Sequence, residues 1–127
     1  MAIQKNTTAL EAWLERYKAA WESRDAELAS SLFSVDATYH EMPFDPPIIG
    51  RDSIRDYWTR VTADQRDINF DARPIAMSGN IGIAEWTATF RSQSSGVTIE
   101  LNGVFVLDFD PAGLCTLLRE WWHLRQR

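Results

Sequence analysis

Residues 81–92 read Ile81-Gly82-Ile83-Ala84-Glu85-Trp86-Thr87-Ala88-Thr89-Phe90-Arg91-Ser92. Gly82, Ala84, Trp86, Ala88 and Phe90, small or aromatic, fall on one parity, while the polar Glu85, Thr87, Thr89 and Arg91 fall on the other with Ile81 and Ile83, the period of a β-strand whose faces meet different surroundings. Working outward, the same period fits residues 66–77, 97–109 and 114–124, and the gaps are turn formers: Ser78-Gly79-Asn80, Ser94-Ser95-Gly96 and Asp110-Pro111-Ala112-Gly113. The second half of the chain is therefore predicted to be a meander of long strands.

Upstream of Gln65 the period is helical. Thr8-Ala9-Leu10-Glu11 has the form of a capping box, and Leu10, Trp13, Leu14, Tyr17 and Trp21 follow on one helical face. Asp25 is placed to cap a second, shorter helix carrying Leu28, Leu32 and Phe33, which Ser34-Val35-Asp36 ends. Ala37 to Met42 reads as a short strand and Phe44 to Gly50, with Pro46 and Pro47, as a loop; Ile54, Tyr57, Trp58 and Val61 mark a third helix. A sheet of this length needs one face covered, and the helices are the available cover. The expected class is α+β: a half-open cone with three N-terminal helices packed on a curved, mainly antiparallel sheet, with residues 1–127 as one domain.

Composition narrows the partners. A formal charge of −5 gives no drive toward phosphate backbones or anionic lipid, so neither nucleic acid nor membrane is expected. Met1 to Thr8 is polar and no later run approaches the ~20 apolar residues of a membrane span, which points to the cytoplasm. The lone Cys115 reads as packing. His40 and His123 lack metal-site spacing, and no phosphate loop, nucleophile elbow or dinucleotide fingerprint is present, so no metal and no cofactor is expected. Six tryptophans suit either a thick core or an aromatic-walled cavity.

The element order, together with Tyr39-His40-Glu41-Met42-Pro43, Gly50-Arg51-Asp52, Gly103-Val104-Phe105 and Arg119-Glu120-Trp121-Trp122, resembles the SnoaL-like branch of the nuclear transport factor 2-like superfamily. That cone fold is shared by ketosteroid isomerases, limonene-type epoxide hydrolases and SnoaL-like polyketide cyclases, and the local segments are similar to the epoxide hydrolases in particular. The resemblance implies a strand parity. Tyr39 and Glu41 point into the cone, with Trp86, Ala88, Phe90, Leu101, Phe105, Leu118, Glu120, Trp122 and Leu124. With Tyr17, Trp21 and Trp58 from the helices, these make an aromatic pocket for a small apolar organic ligand. Leu117, Arg119, Trp121 and His123 then face outward, and an apolar sheet face without a covering helix implies a homodimer.

The same resemblance singles out Glu41, Glu120, Tyr39 and Tyr17 as catalytic candidates. Glu41 stands where the ketosteroid isomerases carry their general base, and desolvation would raise its pKa toward useful acid–base behaviour; the alternative is a rim glutamate paired with Arg51 or Arg60. Glu120 matches the carboxylic acid on the last strand of the epoxide hydrolases, with pairing to a buried arginine as its alternative. Tyr17 and Tyr39 match tyrosines of the isomerases and hydrolases respectively, or are core residues with satisfied hydroxyls. Two departures matter. Trp86 and Ala88 replace an arginine and an aspartate of the epoxide hydrolases, and Phe105 replaces the isomerases' acidic donor, which Asn102 could approach only if Gly103 made a bulge. The expected function is a cofactor-free isomerase, cyclase or hydrolase acting on an apolar cyclic substrate; a ligand-binding or dimerising accessory domain is the alternative.

Overall fold

The computed structural model describes residues 6–127, so the polar character of residues 1–5 lies outside the described residues. Helix α1 spans Thr8–Glu22, α2 Ala26–Ser31 and α3 Arg51–Thr62; the strands are β1 Phe33–His40, β2 Ile48–Ile49, β3 Gln65–Ser78, β4 Ile81–Ser92, β5 Thr98–Phe109 and β6 Cys115–Gln126. The six strands form one sheet in the order β2-β1-β6-β5-β4-β3, antiparallel throughout except where β1 runs parallel to β6. Helices pack on one face of this curled sheet, the α+β cone expected from the sequence.

Polar ties set how the helices lie. Lys18 Nζ donates to the Phe70 carbonyl at 2.6 Å while the Phe70 N–H donates to Glu22 Oε2 at 2.9 Å, so two residues one helical turn apart on α1 clamp a single residue of β3. The Trp13 indole donates to the Leu32 carbonyl at 3.0 Å and fixes α1 against the end of α2. Asp25 caps α2 as expected, accepting from the Leu28 N–H at 3.0 Å. The start of α1 differs: Thr7 holds the cap position, its hydroxyl donating to Glu11 at 3.2 Å, and the Thr8 N–H is satisfied by Asn6 at 3.1 Å. Thr8 is thus the first helical residue rather than the cap.

The first strand also departs from expectation. It begins at Phe33 rather than Ala37 because Phe33 already pairs with Cys115 on β6, a long-range contact that overrides the polar Ser34 and Asp36. It stops at His40, leaving Glu41 and Met42 past its end. The expected loop 44–50 contains the short β2, which returns against Thr38 and Tyr39. Gly50, with φ of 91°, then turns the chain into α3 in a backbone conformation that L side chains rarely adopt.

No helix among the described residues is long and apolar enough to cross a membrane. Cys115 is buried, and burial pushes its thiol pKa up.

Candidate functional site

The parallel register Tyr39↔Leu118, His40↔Arg119 decides what meets at the open end of the sheet. One step further along both strands lie Glu41 and Glu120, and parallel partners share a face, so the two carboxyl groups enter the same space. They line a chamber of ≈150 Å³ between the helices and the sheet. Its walls are Tyr17 and Trp21 from α1, Tyr57, Trp58 and Val61 from α3, Gln65 at the start of β3, Trp86 and Phe90 from β4, Leu101 from β5, and Trp122 and Leu124 from β6, with Tyr39 beside the carboxyl groups.

The two glutamates have different surroundings. Glu120 is only 6% exposed, and burial, reinforced by the nearby charge of Glu41, raises its pKa to about 8 although a hydrogen bond from Tyr39 works the other way. Glu41 is half-buried, its side chain meets the Tyr57 hydroxyl, and its backbone carbonyl accepts from the Trp122 indole at 3.3 Å. Among the described residues neither forms an ion pair. The expected alternative partner Arg51 is engaged elsewhere, donating from Nε and Nη2 to the Phe33 carbonyl at 2.9 and 2.6 Å. Glu120 is therefore the more deeply buried of the two carboxyl groups.

Tyrosines extend the polar cluster inward. The Tyr17 and Tyr39 hydroxyls lie 3.4 Å apart, and burial, followed by the charge of Glu120, pushes both phenol pKa values up. Tyr57 is pushed up for the same reasons, with Glu41 adding to the effect. All three are thus neutral hydrogen-bonding groups at ordinary pH. A neutral carboxyl group, a second carboxyl group at the mouth and three phenols can pass or hold a proton across a bound molecule.

Of the residues expected to form the wall, Trp21, Trp58, Trp86, Phe90, Leu101 and Trp122 line the chamber, whereas Ala88, Phe105 and Leu118 do not. Phe105 lies stacked against Trp86 at 5.3 Å and 23°, so the indole takes its place at the surface. Leu118 is fully buried beside its register partner Tyr39, and Ala88 is a short side chain between Trp86 and Phe90 on the same face. Asn102 stays outside, since β5 and β6 pair without interruption through Asn102↔His123 and Gly103↔Trp122; its amide donates to the Trp86 carbonyl at 3.3 Å. Gly103 instead gives room, as a Cβ there would stand 2.7 Å from the Trp86 ring.

Tyr57 and Gln65 were not anticipated as site residues. Tyr57 was legible only as one apolar position of a helix, and Gln65, which accepts from the Trp21 indole at 2.7 Å, lies at a helix–strand junction without a motif. Trp58 and Trp86 bury indole N–H groups that have no hydrogen-bond partner among the described residues.

Outside the chamber lies a groove of ≈350 Å³ bounded by residues 41–45 and by Glu120 to His123. A shallower one of ≈420 Å³ crosses β4, β5 and β6, where Glu100 is paired with Arg125 and Arg127. Among the described residues no group of three or more His, Cys, Asp or Glu could hold a metal ion.

The chain is similar to several known proteins. Over 96 residues the chain is 25% identical to the cyclase AurE of Calcarisporium arbuscula, covering 73% of this chain and 71% of that protein. The epoxide hydrolase/cyclase-like enzyme SalBIII, which acts in pyran ring formation in polyether salinomycin, shares 15% identity and a TM-score of 0.80 over 94% of this chain and 95% of its own. A protein of Catenulispora acidiphila with a ketosteroid isomerase-like fold, in complex with trimethylamine, shares 15% identity and a TM-score of 0.76, over 86% of this chain and 83% of its own. At such identities the two solved structures speak for the fold. Residues 14–117 match the SnoaL-like domain, and the chain belongs to that family.

Proposed function

We propose that the chamber binds a small apolar cyclic molecule and that its carboxyl groups carry out cofactor-free proton transfer on it, of the isomerase, cyclase or hydrolase kind. Glu120 is the acid, Glu41 the base at the mouth, and Tyr39 and Tyr17 hold an oxygen of the substrate. The observation that carries this reading is Glu120 itself: a carboxyl group buried in an aromatic wall, with no cationic partner among the described residues and a pKa of about 8. Keeping such a group in a core costs stability, and groups so perturbed concentrate at functional sites. A cyclase and an epoxide hydrolase/cyclase-like enzyme among the similar proteins support the reaction class. The unpaired indoles of Trp58 and Trp86 are donors that an oxygen-bearing ligand would satisfy.

The test is a screen of cyclic enones and epoxides followed by Glu41→Gln and Glu120→Gln. Loss of kcat by roughly a hundredfold or more with binding retained fits acid–base roles, and full turnover in either variant would refute the role of that residue. A second reading, ligand binding without turnover, is favoured by the interlocked rings that leave only ≈150 Å³. It predicts no conversion of any probe, with Glu41→Gln and Glu120→Gln acting on affinity alone. We also propose that the outer face of β5 and β6, where Val104 sits opposite the half-exposed Trp121, pairs with a second copy of the chain.

A further inference from the structure

We propose that Trp122 is a movable partition between two compartments of one binding site, and that the fitting ligand is a two-part apolar molecule. One ring occupies the inner chamber and a second ring or chain lies in the groove beneath the loop of residues 41–45. The inference rests on the chamber being a ligand site and extends it to ligand size and shape.

The inner chamber, at ≈150 Å³, has room for about one benzene-sized ring, below the ~300–1,000 Å³ of drug-sized ligand sites. The groove adds ≈350 Å³, and the two spaces share Glu41, Glu120 and Trp122. What divides them is partly buried against the edge of the core but lies outside its network of stacked rings. Trp21, Trp58 and Trp86 each pack against several other rings, whereas Trp122 makes no ring–ring contact among the described residues. Its side chain is tied by the bond from its indole to the Glu41 carbonyl, which at 3.3 Å is a long one. Turning the indole breaks that bond and joins the compartments.

The groove also presents surface in need of cover. Phe44 is 99% exposed and Met42 lies beside it, with Trp121 on the facing strand. A ligand extending past Glu120 would remove Met42 and Phe44 from water.

The test uses isothermal titration calorimetry of the full chain with phenol, one ring, and 4-phenylphenol, two rings in line. Expected is binding of both, with 4-phenylphenol at least about tenfold tighter. The double variant Met42→Ser/Phe44→Ser, both changes at the surface, should erase most of that advantage and leave phenol unchanged. Trp122→Phe keeps an aromatic ring but loses the tie to Glu41, and should speed association of 4-phenylphenol, followed by stopped-flow fluorescence, by a larger factor than that of phenol. Phenol binding with 4-phenylphenol no tighter, or an advantage indifferent to the groove variant, overturns the two-compartment site while leaving the chamber intact. An association rate unmoved by Trp122→Phe overturns the partition. Failure of both probes to bind overturns the chamber reading along with it.

Discussion

Replacing Glu120 by glutamine is expected to change stability by an amount that depends on pH. In the folded protein the Glu120 carboxyl group titrates at about 8, against an ordinary value of 4.5. Between these values the unfolded chain has released a proton that the folded chain still holds, so stability falls as pH rises through this window. Below 4.5 both states are protonated and the penalty vanishes; above about 8 both are ionised and it is complete. At about 1.4 kcal/mol per pH unit the full penalty is on the order of 5 kcal/mol, of which about 3 kcal/mol is already present at pH 7. Glutamine has nearly the same shape and no proton to lose. The stability of Glu120→Gln minus that of the wild type should therefore rise by several kcal/mol between pH 4.5 and pH 9. Taking the difference cancels the carboxyl groups common to both proteins. Urea denaturation followed by tryptophan fluorescence at pH 4.5, 7 and 9 reads it directly. A difference that stays flat with pH would mean that Glu120 ionises normally, and would remove the main support for its role as an acid.

Two further perturbations probe the frame around the site. Gly103→Ala places a methyl group 2.7 Å from Trp86 and 2.8 Å from the Trp121 carbonyl, so the indole must move toward the chamber; a loss of about 1–3 kcal/mol in thermal or urea unfolding, together with weakened phenol binding, is expected. Trp121→Glu puts a charge on the outer face of β6 opposite Val104, and sedimentation velocity should show dimers of the wild type and monomers of the variant; monomers in both would end the sheet-to-sheet interface.

Much of the fold was legible because the meander carries its own signals. Each of the three turns combines glycine with small or polar residues, and the observed strands Ile81–Ser92, Thr98–Phe109 and Cys115–Gln126 follow the alternation closely. Errors fell where a distant partner decides a local question. Ser34-Val35-Asp36 looks like a break, yet it lies within β1, anchored by Phe33 against Cys115. At the first helix two adjacent threonines offer the same cap chemistry, and only the backbone shows that Thr7 takes the position.

The site was legible to the level of a face and no further. Alternation assigns Ala88, Phe105 and Leu118 to the same side as Trp86 and Glu120, but depth depends on which ring overlies which, and Trp86 covers Phe105. The meeting of the two glutamates depends on register as well. Sliding β1 by two residues along β6 would keep every side chain on its face, yet set Glu41 beside Leu118 or Trp122 instead of Glu120. The charge of Glu41 would then stand farther from Glu120, and part of what raises the Glu120 pKa would be lost. The chemistry proposed here thus hangs on a parallel pairing between residues some eighty positions apart, a relation that no local spacing in the chain encodes.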